Sequence, residues 1–422
     1  MVLIAHTSDL HLGVARFKDS PIRGAYLEVF EEIASKAIAA GAKYLLVAGD
    51  LFDEVSPPME VVISAIKVVN KLKSAGVRVV VVPGNHDNSP SRRGVLDLLA
   101  ETGLIHLARY REEGGVLYLE PLVFEDDMLV FYGLPGFRGS REVVYLRDGR
   151  VKFEDAKKYA GYDIVVLAHV STKIYGYDPS LHFSRYGKIS TDEGELSRAV
   201  PAGTKYVALG HVHIPLPQSD SFEARAAYPG APIGMDINDL KETAQLAKKG
   251  VSRRFLLVDA SKDPPLVKAV PLENSPKVVI SEIRAGDSGE LKKQVFKEVE
   301  NALKLESKYR ALLIYVKGLK NIEAEVDREL RYQAAKKGVH LELRTEAQET
   351  FESILLVLGE AYSEISLGKA GFEEIEERAL KELAEKYKLG LPLDKLKWII
   401  NRLSSPTVKP SELLEELEKE LL

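Results

Sequence analysis

The chain has 422 residues, too many for one ordinary hydrophobic core, so its length alone favours two or three domains. Its formal net charge of −5 argues against a surface covered in basic residues for nucleic acid, although a local basic groove is compatible with it. The chain contains no cysteine, which excludes disulfides, thiolate metal sites and a cysteine nucleophile. Any metal must therefore be held by nitrogen and oxygen atoms.

No apolar run approaches the roughly 20 residues that span a bilayer. The amino terminus, MVLIAHTSDLH, turns polar before a cleavable hydrophobic region is formed. We therefore expect a cytoplasmic protein with no membrane association.

Short apolar runs alternate with helical patterns from residue 1 to about residue 215. VLIAHTSD predicts a strand, RGAYLEVFEEIASKAIAAG predicts a helix that Gly41 ends, and AKYLLVAGD predicts the next strand. Ser56 is the predicted cap of a second helix, with Pro57 in its first turn and Gly76 at its close. VRVVVVPGNHD, YDIVVLAHV and KYVALGHVH then repeat the pattern of a strand followed by polar residues. Near-continuous Val, Ile and Leu runs are typical of strands buried on both faces, so the predicted fold class is α/β with a layered core.

A second run of alternating elements lies between Pro276 and Glu346. KVVISEI, RALLIYVKG and VHLELRT predict three strands, with helices from about Glu290 and from about Ile322 between them. This is a βαβαβ unit large enough for a small second domain, and VPLENSPK is the expected boundary. From Gln348 onward the pattern is helical.

Potential metal ligands follow the predicted strands of the first region. In an extended strand, residues i and i+2 point the same way, so two ligands spaced two apart can aim at one ion. Ligands in open α/β sheets collect beyond the carboxyl ends of the strands, so residues some 200 positions apart can converge. The residues concerned are Asp9, His11, Asp50, Asn85, His86, Asp87, His169, His211 and His213. The other histidines, His6, His106, His182 and His340, are expected to be ordinary core or surface residues.

The types of these ligands indicate a metal and a reaction. His, Asp and Asn without thiolate suit Mn, Fe or Zn better than Ca. Even seven of these nine residues are too many ligands for one ion, and they suit two ions about 3.5–4 Å apart that share one carboxylate. Such a pair can activate water and brace an in-line displacement at phosphorus. The residues alone therefore predict phosphoester hydrolysis.

Five short motifs also resemble a known family. SDLHLG, GDLFD, GNHD, AHV and GHVH are similar, in this order, to the five motifs of calcineurin-like metallophosphoesterases. The form SDLHLG, the continuation YPGAP after GHVH, and the added α/β and helical segments resemble the SbcD/Mre-eleven nucleases of DNA double-strand-break repair, archaeal type. The resemblance covers nearly the whole chain, strongly to about residue 235 and in outline beyond.

The resemblance implies a domain organisation. Residues 1–274 would form a four-layer metallophosphoesterase sandwich, the nuclease domain. Residues 275–346 would form a small α/β capping domain that binds DNA. Residues 347–422 would form a helical C-terminal region that binds an ATPase partner.

The resemblance also implies two Mn²⁺ per subunit, with roles for individual ligands. Asp50 would bridge the two ions. The other ligands would divide into Asp9, His11 and His213 on one metal, and Asn85, His169 and His211 on the other.

Three further residues are assigned by the same resemblance. His86 would face the scissile phosphate and assist the leaving group or stabilise charge, without binding metal. Asp87 would orient His86, and a simple turn residue is an equally weighted alternative. Asp53 occupies a position where archaeal relatives often carry histidine, so a second phosphate-handling histidine is in doubt, and a solvated loop carboxylate or helix-start charge is at least as well supported.

Three loop segments after the metal motifs suggest contacts with DNA. GVARFKDSPIRG, NSPSRRG and STKIYGYDPSLHFSRYGK mix basic residues with loop formers, and the last adds aromatic residues. Such composition suits backbone phosphates and stacking on a splayed base, although a solvated loop charge is the commoner explanation for any one residue. The candidates are Arg16, Lys18, Arg23, Arg92, Arg93 and Lys173.

The implied function is a Mn-dependent DNA nuclease that processes DNA ends in double-strand-break repair and homologous recombination. It would be a 3′–5′ exonuclease on double strands and an endonuclease on single strands and hairpins. It would act as a homodimer with an SbcC/Rad-fifty-type ATPase, near the nucleoid of a prokaryote. The tail has apolar positions at helical spacing, which suit packing within its own domain or docking on the ATPase. These positions are Leu380, Leu383, Tyr387, Leu396, Ile399, Ile400 and Leu403.

Three alternatives compete with this function. A protein phosphatase of the same fold usually carries GDxxDRG and GNHE, whereas this chain has GDLFDEVS and GNHD. A small-molecule phosphodiesterase fits the core motifs but would not need residues 275–422. A non-catalytic scaffold with a vestigial site is disfavoured because all seven ligands and His86 are present.

Overall fold

The computed structural model describes residues 2–89, 93–187 and 189–345, together with Lys395 and Trp398. The predicted helical region 347–422, with its apolar positions, therefore lies outside the described residues except for those two. The α-helices are α1 (Arg23–Ala39), α2 (Met59–Ser74), α3 (Val95–Glu101), α4 (Arg141–Arg147), α5 (Phe183–Tyr186), α6 (Glu193–Ala199), α7 (Ile237–Lys248), α8 (Ser288–Leu303) and α9 (Ala324–Lys336).

The strands carry most of the architecture. In chain order they are β1 (Leu3–Thr7), β2 (Tyr44–Ala48), β3 (Arg78–Val82), β4 (His106–Leu107), β5 (Tyr110–Glu113), β6 (Val116–Leu119), β7 (Leu122–Phe124), β8 (Leu129–Leu134), β9 (Val151–Phe153), β10 (Asp163–His169), β11 (Thr172–Lys173), β12 (Thr191–Asp192), β13 (Thr204–Gly210), β14 (Ser221–Glu223), β15 (Ala226–Ala227), β16 (Arg254–Asp259), β17 (Leu266–Pro271), β18 (Lys277–Arg284), β19 (Arg310–Lys317) and β20 (Val339–Thr345).

Two large sheets form the centre of the fold. The first has seven strands in the order β14-β17-β16-β1-β2-β3-β4, and β1 to β4 run parallel to one another. The second has five strands in the order β15-β13-β10-β8-β7, of which β8, β10, β13 and β15 are parallel. Parallel strands bring their carboxyl ends to one edge, so each sheet presents its ligand-bearing loops on a single side.

The two sheets pack face to face, and helices cover both outer faces. Between the sheets lies a core that includes Tyr44 and Val80 of the first and Phe131 and Leu167 of the second. The outer face of the first sheet packs on α1, α2, α3 and α7, and the outer face of the second packs on α4 and α6. The result is an α/β/β/α arrangement of four layers, which confirms the predicted α/β fold class.

The predicted first helix and strands are present within one or two residues of the expected bounds, but the predicted start of the second helix was wrong. Helix α2 begins at Met59, and its N-cap residue is Pro58, which makes no side-chain capping hydrogen bond. Pro58 is extended, with φ −53° and ψ 139°. A residue that precedes proline is disfavoured in the α region, so two successive prolines keep Ser56 and Pro57 out of the helix.

Residues 277–345 form a separate three-stranded parallel sheet in the order β18-β19-β20, as predicted for a βαβαβ unit. Helices α8 and α9 cover one face of this sheet and enclose a core of their own. The other face packs on the helical layer that covers the seven-stranded sheet, where Ala311 and Leu313 of β19 join a core that includes residues of α1. Two side-chain contacts also join this unit to α1 and the loop before it: Ser20 Oγ lies 2.9 Å from His340 Nδ1, and Lys308 pairs with Glu28.

Within the part of the chain that the structure describes, no helix combines the length and the apolar character needed to cross a bilayer.

Candidate metal centre

The loops that follow β1, β2, β10 and β13 meet where the edges of the two large sheets adjoin. Asp9, His11, Asp50 and His211 all have left-handed backbone conformations, with φ of 54°, 44°, 50° and 90°. Non-glycine residues rarely adopt positive φ, and such strain concentrates at functional sites. The turns that these conformations create direct the side chains into the junction between the sheets.

Two glycines allow the loops to approach one another. A Cβ atom on Gly49 would lie 2.0 Å from His169 Nδ1, and one on Gly84 would lie 2.1 Å from Asp50 Oδ1. Gly49 also has φ of +90°. Both positions therefore require glycine, which is consistent with the motifs GDLFD and GNHD.

The first cluster contains Asp9, His11 and His213, whose ligand atoms all lie within 4.8 Å of one another. His11 Nε2 is 3.2 Å from His213 Nε2, and His213 Nε2 is 3.8 Å from Asp9 Oδ1. The opposite nitrogen of each ring contacts a carboxylate: His11 Nδ1 lies 3.1 Å from Asp53, and His213 Nδ1 lies 2.9 Å from Asp239. A carboxylate can only accept, so Nδ1 carries a proton in each ring, and Nε2 is the nitrogen that faces the junction.

The second cluster brings together Asn85, His169 and His211. His169 Nε2 is 3.0 Å from Asn85 Oδ1 and 3.2 Å from His211 Nδ1. The outer nitrogens donate to backbone carbonyls, from His169 Nδ1 to Ala48 at 2.9 Å and from His211 Nε2 to Tyr186 at 3.2 Å. Here too each ring is held by its outer nitrogen and turns its other nitrogen toward the junction.

Asp50 lies between the two clusters. Its Oδ2 is 3.3 Å from His169 Nε2 and 3.9 Å from His11 Nε2. Its Oδ1 accepts a hydrogen bond from the backbone N–H of His86 at 2.9 Å. Asp9 also lies close to the second cluster, because its carboxylate is within 4.8 Å of the ligand atoms of Asp50 and His169 and accepts from the backbone N–H of His211 at 3.1 Å.

The charges of the site favour a cation. Burial lowers the pKa of His11, but the hydrogen bond to Asp53 and the charges of Asp50 and Asp9 outweigh it and raise the pKa to about 9. Burial likewise lowers the pKa of His169, yet Asp50 raises it to about 10. Burial raises the pKa of Asp50, but the same two histidines hold it well below its usual range. Protons and divalent cations compete for histidine nitrogens, so carboxylates that favour a proton here also favour a metal ion.

The donor set fits the predicted group. Four imidazole nitrogens, two carboxylates and one amide oxygen face one small junction, and each ring is oriented through its other nitrogen, as is typical of metal-binding histidines. Nitrogen and oxygen donors without sulfur suit Mn, Fe or Zn. The seven residues predicted as ligands are therefore brought together.

His86 lies at the edge of the site, and Asp87, its expected partner, bonds to other groups. The oxygens of Asp87 accept from the backbone N–H of Gly84 at 2.8 Å and of Phe52 at 3.2 Å. Asp87 is buried, and burial with the charge of Asp50 raises its pKa to about 7. Asp87 therefore stabilises the loop backbone, which is the role of a turn residue that the sequence suggested as the alternative to orienting His86.

Asp53 is the carboxylate beside His86. His86 Nδ1 donates to the Asp53 carbonyl at 3.1 Å, and the Asp53 carboxylate lies 3.5 Å away. The Asp53 side chain is only 13% exposed and also contacts His11. The alternative of a solvated loop carboxylate was therefore wrong, because the GDLFD loop folds back onto the metal motif of β1.

The cleft above the junction has a volume of about 210 Å³. Its lining includes residues that sequence reasoning missed, because Arg185, Tyr186 and Asp236 belong to no metal motif. Arg185 pairs with Asp239 and with Glu242, and Asp239 in turn contacts His213. Only its place in the fold reveals Asp239, which lies 26 residues beyond His213 in the first turn of α7.

The structure distributes the DNA-contact candidates over several surfaces. Arg16, Lys18, Arg23 and Arg93 are exposed, and the exposed Lys173 pairs with Asp178 at 3.1 Å. Arg92 lies outside the described residues. Lys18 and Arg23 line a cavity of about 670 Å³ beside the loop after His11, together with Asp19, Glu54 and Glu60. Three carboxylates thus balance two cations there, which weakens the case for a phosphate site at that cavity.

The remaining histidines have structural contacts. His6 is buried and contacts the hydroxyl of Tyr206 at 3.0 Å, and burial lowers its pKa to about 3. His106 packs edge-on against Phe124, and His182 stacks on Tyr177. His340 contacts Ser20, as described above.

Comparisons with known proteins agree with this geometry. Residues 2–215 match the family described as Calcineurin-like phosphoesterase. The chain is 27% identical over 260 residues to the DNA double-strand break repair protein Mre11 of Methanopyrus kandleri, covering 61% of this chain and 53% of that protein. It is 26% identical to the protein of that name from Aeropyrum pernix (69% and 66% covered) and 26% identical to the one from Saccharolobus solfataricus (67% and 66% covered). The chain thus spans between about half and two thirds of the length of these relatives.

Proposed function

The chain belongs to the calcineurin-like phosphoesterase family, and from this premise we propose that it is a manganese-dependent nuclease that hydrolyses DNA phosphodiesters. It cuts duplex ends as a 3′–5′ exonuclease and cuts single strands and hairpins as an endonuclease. The observation that carries the proposal is the convergence of two His/Asp/Asn clusters around Asp50, beside a cleft that His86 lines. The break-repair name of the similar archaeal proteins supports DNA as the substrate.

Asp9, His11 and His213 would hold one Mn²⁺ of each subunit, and Asn85, His169 and His211 the other, with Asp50 shared. When bound, the two ions would supply an activated water and Lewis acidity for in-line attack at phosphorus. The protein's part is to orient the ligands through their outer nitrogens and to limit the space around the phosphate.

His86 is the residue that exchanges a proton with the substrate. Its Nδ1 donates to the Asp53 carbonyl, so Nε2 is the nitrogen free to hold or release a proton toward the leaving oxygen. Burial lowers its pKa, while Asp50 and Asp53 act in the opposite direction. The loop that carries it is held by the bond from the His86 N–H to Asp50.

The test is digestion of end-labelled DNA with and without Mn²⁺. Duplex, single-stranded and hairpin substrates are compared with bis(p-nitrophenyl) phosphate, and Asp50→Asn serves as the control for contaminating nucleases. Mn-dependent cutting of DNA that the variant loses supports the proposal. Hydrolysis of the small ester alone would support the small-molecule phosphodiesterase, and no hydrolysis of either substrate would support the scaffold.

We also propose that residues 275–346 are a DNA-binding capping domain on the nuclease domain of residues 1–274. Lys293 and Lys297 lie one helical turn apart on α8 and are exposed. Replacing both with Glu should lower DNA affinity several-fold and reduce its salt dependence, while hydrolysis of the small ester is unchanged. Equal DNA affinity in the variant would place DNA binding elsewhere.

The tail, residues 347–422, is proposed to bind an SbcC/Rad-fifty-type ATPase in the cytoplasm, near the nucleoid. A chain that ends at Glu346 should still cut single-stranded DNA but should no longer bind the coiled-coil base of that ATPase. Tight binding by the truncated chain would show that another surface holds the partner.

A homodimer is the last part of the proposal. Met59 and Ile63 of α2 are 64% and 48% exposed, and Leu98 of α3 is 51% exposed. The two helices run side by side, since Val95 N–H bonds to the Val55 carbonyl at one end and Lys73 bonds to the Gly103 carbonyl at the other. Large apolar side chains exposed on neighbouring helices are typical of a contact with another protein.

A further inference from the structure

The two clusters of the metal centre differ in what holds their histidines. In the cluster of Asp9, His11 and His213, both rings donate Nδ1–H to a carboxylate. In the other cluster, the rings of His169 and His211 donate to backbone carbonyls. A carboxylate behind a histidine raises its basicity more than a neutral carbonyl does, and removing such a partner typically costs 10–100-fold in metal affinity.

Asp239 is buried and is itself held from several sides. Its Oδ1 contacts His213 Nδ1 at 2.9 Å, and its Oδ2 accepts from the backbone N–H of Met235 at 2.7 Å. Arg185 pairs with the same carboxylate, and Arg253 donates to the Asp239 carbonyl at 2.9 Å and to the His213 carbonyl. Arg185 therefore fixes the carboxylate, while Arg253 joins the backbone of Asp239 to the backbone of the loop that carries His213.

Asp53 holds the other ring of this cluster from a different loop. Its Oδ1 lies 3.1 Å from His11 Nδ1, and its backbone N–H donates to the Leu12 carbonyl at 3.1 Å, so Asp53 is joined both to the His11 ring and to the backbone that follows it. The ring of His86 packs edge-on against that of His11, with 4.8 Å between the ring centroids, and its Nδ1 contacts the Asp53 carbonyl. Asp53 therefore connects a metal ligand with the proposed proton-transfer residue, whereas Asp239 contacts a metal ligand but not His86.

We propose that Asp53 and Asp239 are positioning residues that hold His11 and His213 in the Nδ1–H tautomer and so set the metal affinity of this cluster and not of the other. The proposal rests on the two-metal site of the proposed function. It assigns a role to two residues outside the predicted ligand set. It also makes the clusters separable, because in the part of the chain that the structure describes the outer nitrogens of His169 and His211 contact backbone carbonyls and not side chains.

The test is a manganese titration of the full chain after chelation, followed by calorimetry and by the electron paramagnetic resonance signal of free Mn²⁺. The variants are Asp53→Asn and Asp239→Asn. The matched control is Asp127→Asn, another carboxylate with low exposure, which bonds to Tyr44 and Arg78 away from the centre. Circular dichroism checks that each variant is folded, and Asp53→Asn, which breaks fewer bonds, keeps the test usable if Asp239→Asn does not fold.

The wild-type chain and the control should bind two ions per chain. Each of the two variants should bind one ion unchanged and the other 10–100-fold more weakly. At saturating Mn²⁺, Asp239→Asn should recover most of its turnover, whereas Asp53→Asn should stay slower because the negative charge 3.5 Å from His86 is also lost.

Other outcomes distinguish a failure of this inference from a failure of the proposed function. Two unaltered ions in both variants, or equal weakening of both ions, would overturn the inference. A wild-type chain that binds no Mn²⁺ would instead overturn the two-metal site of the proposed function.

Discussion

Replacing His86 with Ser separates two roles that a histidine beside a metal cluster can have. His11, Asp53 and His86 themselves form a group with metal-ligand spacing, so a further ligand beside His11 is one possible role of His86. The hydrogen bond from Nδ1 to the Asp53 carbonyl, and the place of the ring at the cleft, indicate instead that Nε2 meets the substrate.

Three quantities should change by different amounts in His86→Ser: the free energy of unfolding, the Mn²⁺ affinity and the turnover. The lost hydrogen bond and the edge-on contact with His11 should lower the free energy of unfolding by about 1–2 kcal/mol. Mn²⁺ affinity should change by less than about 10-fold, because none of the seven predicted ligands is removed. Turnover should fall by about 10²–10⁴-fold, the usual contribution of a group that transfers a proton in the transition state.

The assays are urea denaturation, calorimetric Mn²⁺ titration, and single-turnover cleavage of labelled DNA. His106→Ser is the matched control, because His106 lies on the edge strand β4 and contacts Phe124 away from the cleft. Loss of one bound ion in His86→Ser would make His86 a ligand. Cleavage at the wild-type rate would deny it any part in the reaction.

Three further predictions concern other parts of the molecule. Asp50→Asn should weaken both ions in the Mn²⁺ titration and reduce cleavage to background, and retention of one tight ion would show that Asp50 is not shared. In Glu342, burial raises the pKa, but His340 and Arg331 outweigh it and lower the pKa to about 2. Glu342 therefore stabilises the folded state above its ordinary pKa of 4.5, and this contribution is lost as the pH falls toward 2. In urea unfolding, Glu342→Gln should lower the free energy of unfolding by about 1–3 kcal/mol at pH 7 and by much less at pH 2.5. A loss of stability that does not change with pH would contradict this prediction. Met59→Glu should convert the dimer to monomer in sedimentation velocity, and an unchanged dimer would exclude this face.

The sequence allowed the layers and most ligands to be predicted because both depend on local patterns. Strands such as β2 and β3 are uninterrupted apolar runs, and buried parallel strands have few alternatives to that pattern. Ligands such as Asp9 and His211 follow those strands directly, and strand direction alone brings them to the same edge. The start of α2 was missed because two adjacent prolines override a favourable capping residue.

The residues behind the ligands could not be predicted, because they depend on contacts between distant loops. Asp239 lies in a segment whose local pattern is only that of a helix start, where it also completes a capping box with Asp236. Asp53 lies in a metal motif, yet its partner follows from the folding of one loop onto another and not from its spacing. The expected pairing of Asp87 with His86 failed for the same reason, since adjacent residues in a tight turn point in different directions and Asp87 is directed at backbone N–H groups.

Each proposed metal position takes ligands from both large sheets. In the first, Asp9 and His11 follow β1 and His213 follows β13. In the second, Asn85 follows β3, while His169 ends β10. The same junction is crossed by protein contacts, from the His169 ring to the Ala48 carbonyl and from the His211 N–H to Asp9. The relative position of the two sheets therefore determines the geometry of the ligands, so that a change in the core between the sheets is felt at the metal centre even where it touches no ligand.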